Sequence, residues 1–270
     1  MRLAWLTDIH LNFVDGIARR RFLESVSDQS DAVAVSGDIG ESHDVAAYLR
    51  EMDEFVEKPV YLVLGNHDFY RGGIAKTRLK VAEVAQESKL LEYLTASGVI
   101  ELTPKTAIVG HDGWADGRLG DYENTEVILN DHLMIAEISK WCDDFRVDKH
   151  GLGETLATLA EEAARHLERV LEEAASSYEH VIAVTHVPPY KEAAWYQGKT
   201  STDDFLPYFA CKAVGDVLTR IMQAHPQSHL TVLCGHTHGG GEIQVLDNLR
   251  VLTGEARYGQ PKIQQIFEIG

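Results

Sequence analysis

The chain has no apolar run approaching the roughly 20 residues that a membrane-spanning helix needs. Its first ten residues, MRLAWLTDIH, turn polar at Thr7 and Asp8, too early for the apolar region of a signal peptide. Both absences predict a soluble, cytoplasmic protein with no membrane partner. Cysteine is scarce as well. Cys142, Cys211 and Cys234 lie far apart, are odd in number and lack the paired spacing of a zinc site. That argues against a disulfide framework and predicts free, mostly buried thiols. Basic charge is in short supply: 25 Lys and Arg face 42 Asp and Glu, for a formal net charge of -17. Such a field repels phosphate backbones and gives no footprint for sequence-independent nucleic-acid binding. A small phosphate ester stays admissible, because a metal site can reverse the local potential. Repeats, low-complexity tracts and linkers are also missing, so residues 1–270 are expected to form one domain.

Short apolar runs are plentiful. RLAWL (2–6), AVAVS (32–36), VYLVL (60–64), TAIVG (106–110), VIAVT (181–185) and LTVLC (230–234) read as strands buried on both faces. Helical stripes lie between them. Val45, Leu49, Met52 and Val56 form one; Leu156, Leu159, Ala163, Leu167 and Val170 a second; Val214, Leu218 and Ile221 a third, closed by Pro226. Towards the C-terminus GEIQVLDN, LRVLTG and IQQIFEI read as successive strands, with a hairpin turn at Asp247 and Asn248. The expectation is an α/β layered architecture that ends in a meander. Two stretches, 111–150 and 187–210, lack regular pattern and are rich in aromatics. The first carries Trp114, Tyr122, Trp141 and Phe145, the second Tyr190, Trp195, Tyr196, Phe205, Tyr208 and Phe209. Long loops of this kind serve as lids or binding loops, and their aromatics serve equally as loop anchors or subunit contacts.

The residues just past the strand ends are chemically uniform. Asp8 and His10 come after the first strand, Gly37 and Asp38 after the second, and Gly65, Asn66, His67 and Asp68 after the third. His186 comes after the fifth, and Gly235, His236, Thr237 and His238 after the sixth. Sites in open α/β sheets form beyond the carboxyl ends of the strands, so five such endings argue for one shared site. Imidazole, carboxylate and amide together suit zinc, iron or manganese rather than a thiolate-seeking ion. Asp8, His10, Asp38, Asn66, His186, His236 and His238 make seven donors, more than the four or so that one tetrahedral ion takes. Two ions are therefore expected, with Asp38 the natural bridge. The alternation in GHTH points His236 and His238 the same way if the segment is extended. Gly37, Gly65 and Gly235 fall where the chain must turn and where a side chain would crowd the ions.

The motifs DIH, GD, GNHD, H and GHTH, in this order from Asp8 to His238, resemble those of the calcineurin-like metallophosphoesterases. The resemblance implies two packed mixed sheets flanked by helices and two divalent or trivalent ions (Mn, Fe or Zn). One ion would take Asp8, His10, Asp38 and His238, the other Asp38, Asn66, His186 and His236. It also implies that His67 assists the leaving oxygen and that Glu41 orients His67. Asp68 reads as structural. The implied reaction is hydrolysis of a small soluble phosphomono- or phosphodiester by a hydroxide shared between ions about 3.5–4 Å apart. Where protein phosphatases of this superfamily carry a phosphate-binding Arg after the acid, this chain has Ser42. A nuclease and a non-catalytic protein-binding scaffold are the competing readings. The charge disfavours the first, and the intact ligand set the second. Trp114 and Tyr190 are expected at the pocket mouth, where they could stack on a substrate.

Overall fold

The computed structural model describes residues 1–143 and 146–270; Phe145, one of the loop aromatics, lies outside them. The first half alternates strand and helix: β1 (Arg2–Leu6), α1 (Gly16–Gln29), β2 (Ala32–Ser36), α2 (Val45–Val56), β3 (Val60–Val63), α3 (Ile74–Glu87) and β4 (Leu91–Tyr93). Next come β5 (Ile100–Thr103), β6 (Thr106–Gly110), the long α4 (Lys149–Ser177), β7 (His180–Val184), α5 (Lys212–Ala224) and β8 (His229–Cys234). The chain closes with β9 (Gly241–Leu246), β10 (Leu249–Thr253) and β11 (Gln265–Glu268).

These strands build two mixed sheets. One has the order β11-β1-β2-β3-β4, parallel except for β11; the other has the order β9-β10-β8-β7-β6-β5, antiparallel only at its two edges. The period of two along each strand explains how the sheets stack. Leu3 and Trp5 of β1, Ala32 and Ala34 of β2, Ile182 and Val184 of β7 and Leu233 of β8 form a core between the sheets. The alternate residues Ala4, Leu6, Val33 and Val35 face the helical side of the first sheet. Val181, Ala183, Leu230 and Val232 likewise face the helical side of the second, against α4 and α5. Both faces of every central strand are thus apolar, which is why the runs read as continuous rather than alternating. Trp5 meets its polar need inside the inter-sheet core through a 2.9 Å hydrogen bond from its indole N–H to Ser36 Oγ.

The six predicted apolar strands fall within a residue of those observed, the last three C-terminal ones within two, and Asp247 and Asn248 do connect β9 and β10. The terminal meander does not form. β10 pairs in parallel with β8, and β11 leaves that sheet to pair antiparallel with β1. Turn residues locate a hairpin, but the partner of the next strand depends on which sheet edge remains open. The irregular stretches contain single turns at Asp131–Met134, Ala136–Ser139 and Leu206–Phe209, and a small hairpin pairing Trp195–Tyr196 with Lys199–Thr200. The three cysteines are free thiols, Cys211 and Cys234 being buried. No described helix is long and apolar enough to cross a membrane.

Candidate metal centre

The parallel strands β1, β2, β3, β7 and β8 deliver their carboxyl ends to one place. The turns beyond them are tied together by backbone hydrogen bonds: Asp8 N–H to the Gly37 carbonyl at 3.0 Å, His10 N–H to Asp38 at 2.9 Å, and Gly235 N–H to His186 at 2.9 Å. Eight non-glycine residues among those described have positive φ, and five of them are Asp8, His10, Asp38, His236 and His238. Left-handed backbone is costly for such residues and gathers where surrounding structure imposes it for a purpose. GHTH is therefore not extended. His236 and His238 reach different parts of the cluster because each sits on its own left-handed turn. His67 likewise opens a short 3-10 turn, His67–Phe69, with Asn66 in the helical region before it.

The glycines make room. A Cβ on Gly65 would lie 2.2 Å from Asp38 Oδ1, and one on Gly235 2.0 Å from Asp8 Oδ2. Asp68 braces the same turns: its buried carboxylate accepts hydrogen bonds from the backbone N–H groups of Ile39, Gly40 and Gly65 at 2.8–2.9 Å.

Asp8, His10, Asp38 and His238 each offer a donor atom within 4.8 Å of the others, and the first three are buried. His10 Nε2 lies 3.1 Å from His238 Nε2 and 3.7 Å from Asp38 Oδ2, while His238 Nε2 is 3.4 Å from Asp8 Oδ1. Beside this group the Asn66 Oδ1 sits 2.9 Å from both His186 Nε2 and His236 Nδ1, and His186 Nε2 is 3.5 Å from Asp38 Oδ1.

The proton inventory of this second group is decisive. His186 Nδ1–H donates to the Ser36 carbonyl at 2.8 Å, and His236 Nε2–H donates to the Tyr208 carbonyl at 3.0 Å. Each neutral ring therefore turns a lone pair towards Asn66. The Asn66 amide nitrogen donates to Asp131 Oδ1 at 2.8 Å and to the Tyr70 hydroxyl at 3.1 Å, which fixes its carbonyl oxygen towards the two rings. Tyr70 in turn donates to Asp131 at 2.6 Å. Three acceptors (two imidazole nitrogens and an amide oxygen) thus converge with no proton among them, beside Asp38 Oδ1, which accepts from His67 N–H at 2.9 Å. Buried acceptors left facing one another are expensive, and a cation resolves the conflict. The donor set fits metal.

Electrostatics lead the same way. Burial pushes His10 and His67 down to about 3 and His186 to about 4, and lowers His236, so these imidazoles are neutral at pH 7, and His10, His186 and His236 are free to coordinate. Burial, reinforced by the neighbouring Asp8 charge, raises the Asp38 carboxyl well above the usual range. Burial also works against the Asp8 charge, yet its hydrogen bond with His238 and the surrounding imidazoles hold it below the usual range. Two buried carboxylates this close cannot both stay ionised without positive charge between them.

The other expected site residues stand apart from the donor set. His67 Nε2 lies 4.0 Å from Asp38 Oδ2, and its ring sits between Tyr70 and His10 at centroid distances of 4.2 and 4.7 Å. Glu41 does not contact His67. Its carboxylate is taken by Arg71, with His43 Nδ1 3.6 Å away. Trp114 is buried and packs on Phe69 at 5.8 Å. The Tyr190 hydroxyl bonds to Gly215 and Thr219 of α5 at 2.9 Å. Neither ring lines the 220 Å³ cleft above the cluster, whose aromatic walls are Tyr70, Tyr196, Phe209 and Tyr258. Short tethers bring the two long loops to the site, but through other side chains than those expected. Asp131, Tyr70 and Tyr258 carry no sequence signal, since none sits at a strand end or in a motif, whereas Tyr208 is one of the loop aromatics marked in the sequence. Asp112 does carry one: it lies two residues past TAIVG, as Asp8 lies two residues past RLAWL. Its carboxylate accepts from Leu64 N–H, Arg78, Tyr93 and Thr95 at 2.7–2.8 Å, and its carbonyl accepts from His186 N–H at 3.0 Å.

Two mixed sheets thus carry an Asp/His cluster, a candidate metal centre, where their parallel strands end. The family model for calcineurin-like phosphoesterases matches residues 1–240, and the chain belongs to that family. Among solved structures it is similar to a phosphopantetheinyl hydrolase from Mycobacterium tuberculosis, at 17% identity over 95% of this chain and 89% of the other, with a TM-score of 0.63. A dimetal phosphatase from Danio rerio is 16% identical over 97% and 89% of the two chains, with a TM-score of 0.58. At these identities the likeness is one of fold. No curated protein matches the sequence.

Proposed function

We propose that this chain hydrolyses a small soluble phosphomono- or phosphodiester with two metal ions held by the seven strand-end donors. Asp8, His10, Asp38 and His238 would hold one ion, and Asp38, Asn66, His186 and His236 the other, with Asp38 shared. Manganese, iron and zinc all suit this donor set. When bound, such a pair supplies Lewis acidity and an activated water at neutral pH. The chain's own residues do the rest. Ser36 and Tyr208 carbonyls hold His186 and His236 in the coordinating tautomers. Asp131 and Tyr70 aim the Asn66 oxygen. His67 presents Nε2 at the edge of the cluster, where the neutral ring can donate an Nε2–H hydrogen bond to the departing ester oxygen. Glu41 reaches His67 in this role only after releasing Arg71.

The observation that carries the reading is the proton-free convergence on Asn66 Oδ1. A protein-binding scaffold has no need of such an arrangement. The test is a panel of monoesters, cyclic nucleotides, dinucleotides and single-stranded DNA, each assayed with Mn²⁺, Fe²⁺ and Zn²⁺. The expected result is metal-dependent turnover of a small ester that Asp38→Asn abolishes. Absence of turnover throughout the panel, or turnover that survives Asp38→Asn, overturns it.

A further inference from the structure

Beside the cleft lies a larger cavity, of 450 Å³, under the hairpin that pairs Trp195–Tyr196 with Lys199–Thr200. Tyr196 and Phe209 line both spaces, so the cavity and the cleft share a wall. Phe209 stands edge-on to His236 at 5.1 Å and packs against Phe205 at 5.4 Å. Tyr196 and Phe205 are left 53% and 38% exposed, which is costly for large rings unless something covers them. The rest of the lining is polar: Gln197, the hydroxyl residues Thr200, Ser201 and Thr202, and Lys199 as the one charged side chain. Lys199 is exposed and makes no ion pair among the described residues. The lining of the cleft itself holds no Lys or Arg.

The cavity is anchored to the cluster by the glycines after His238. A Cβ on Gly239 would lie 2.2 Å from the Trp195 carbonyl oxygen, and one on Gly241 2.4 Å from the Trp195 indole. Only a chain without side chains there lets the hairpin lie directly on the loop that carries His236 and His238. The run GGG after GHTH thus has a use beyond turning the backbone: it fixes the cavity wall relative to the cluster.

We propose that this cavity receives the non-reacting organic arm of the substrate. The arm it fits is an aromatic or flat apolar group that packs on Tyr196, Phe205 and Phe209 and ends in a negative group at Lys199. The substrate class is then an aryl-bearing phosphoester with a second anionic end. This inference rests on the phosphoesterase reading of the metal centre.

The test uses non-hydrolysable phosphonates titrated calorimetrically into the full Mn²⁺-loaded chain. Naphthylmethylphosphonate should bind about tenfold tighter than methylphosphonate, the scale of one or two aromatic contacts. That ratio should fall towards one in Phe205→Ala, in Gly239→Ala, which displaces the hairpin, and in Thr202→Phe, which fills the cavity. A naphthyl probe that also bears a carboxylate should lose affinity in Lys199→Glu more than the plain probe does. A ratio near one in the unmodified protein, or an unchanged ratio in all three cavity variants, overturns the cavity assignment alone. Failure of both phosphonates to bind with metal present overturns the phosphoesterase reading and this inference with it.

Discussion

Asn66 can turn only its carbonyl oxygen towards His186 and His236, because Asp131 and Tyr70 occupy its amide nitrogen. GNH in the sequence makes Asn66 a candidate ligand, but nothing there reveals which amide atom faces inward. That is set by Asp131, 65 residues away in a stretch without periodicity. His67 is one residue on, with a different task. His67→Ala should keep the metals and lower kcat, with the greater loss on esters whose leaving group has a high pKa. Comparing alkyl with nitrophenyl esters checks this. Equal losses on both would assign His67 to stabilising charge on the phosphoryl group instead. Glu41 illustrates a limit of motif reading. Its spacing after Asp38 is as expected, but Arg71 competes for it, and a sequence spacing cannot display a competitor that approaches from another turn.

Among the elements, the strands are the most legible because burial on both faces leaves continuous apolar runs. α1 and α3 carry a weaker signal, although Asp15 caps the first by accepting from Ile17 and Ala18 N–H. Their apolar stripes are sparse: α1 buries only Leu23 and Val26. The joint between β3, α3, β4 and β6 depends on Asp112, whose side chain is fully buried and lies 2.8 Å from Arg78. Burial works against the Asp112 charge, yet Arg78, His111 and the hydrogen bonds from Leu64 and Tyr93 hold its pKa below the usual range. Asp112→Asn leaves the Arg78 guanidinium without its buried partner. Breaking such a pair costs about 3–5 kcal/mol, which denaturant unfolding of the metal-free protein would read directly. A loss under about 1 kcal/mol, the scale of an exposed pair, would show that the joint does not depend on it.

At the scale of the whole molecule, two sheets and their helices bury several histidines in neutral form. Burial pushes His111 down to about 3, and its Nδ1 accepts a hydrogen bond from Gly113 N–H at 3.1 Å, as a neutral ring can. His186, at about 4 without metal, behaves alike. Unfolded histidine titrates near 6.5. Between about 6.5 and 3 the unfolded chain therefore holds protons on these rings that the folded chain lacks, and their contribution to stability rises with pH across that window. Burial raises the carboxyls of Asp38 and Asp68, which act in the opposite sense, so the histidine share is read by difference: metal-free His111→Gln should lose less Tm from pH 7 to 5 than the unmodified protein, and an equal loss would contradict the neutral burial of this ring. Sequence shows which strands exist and what they end in. It does not show that β11 returns to the first sheet, because edge pairing is decided by the assembled sheets and not by the strand's own residues.

The central claim is that seven strand-end side chains form two cation sites joined at Asp38 and separable at Asn66. Metal content per chain after dialysis with saturating Mn²⁺, measured for the unmodified protein and for Asn66→Leu, tests it most directly. The account predicts two ions in the first and one in the second, with Asp38→Asn losing tight binding of both. A stoichiometry of one in the unmodified protein, or of two in Asn66→Leu, would contradict it.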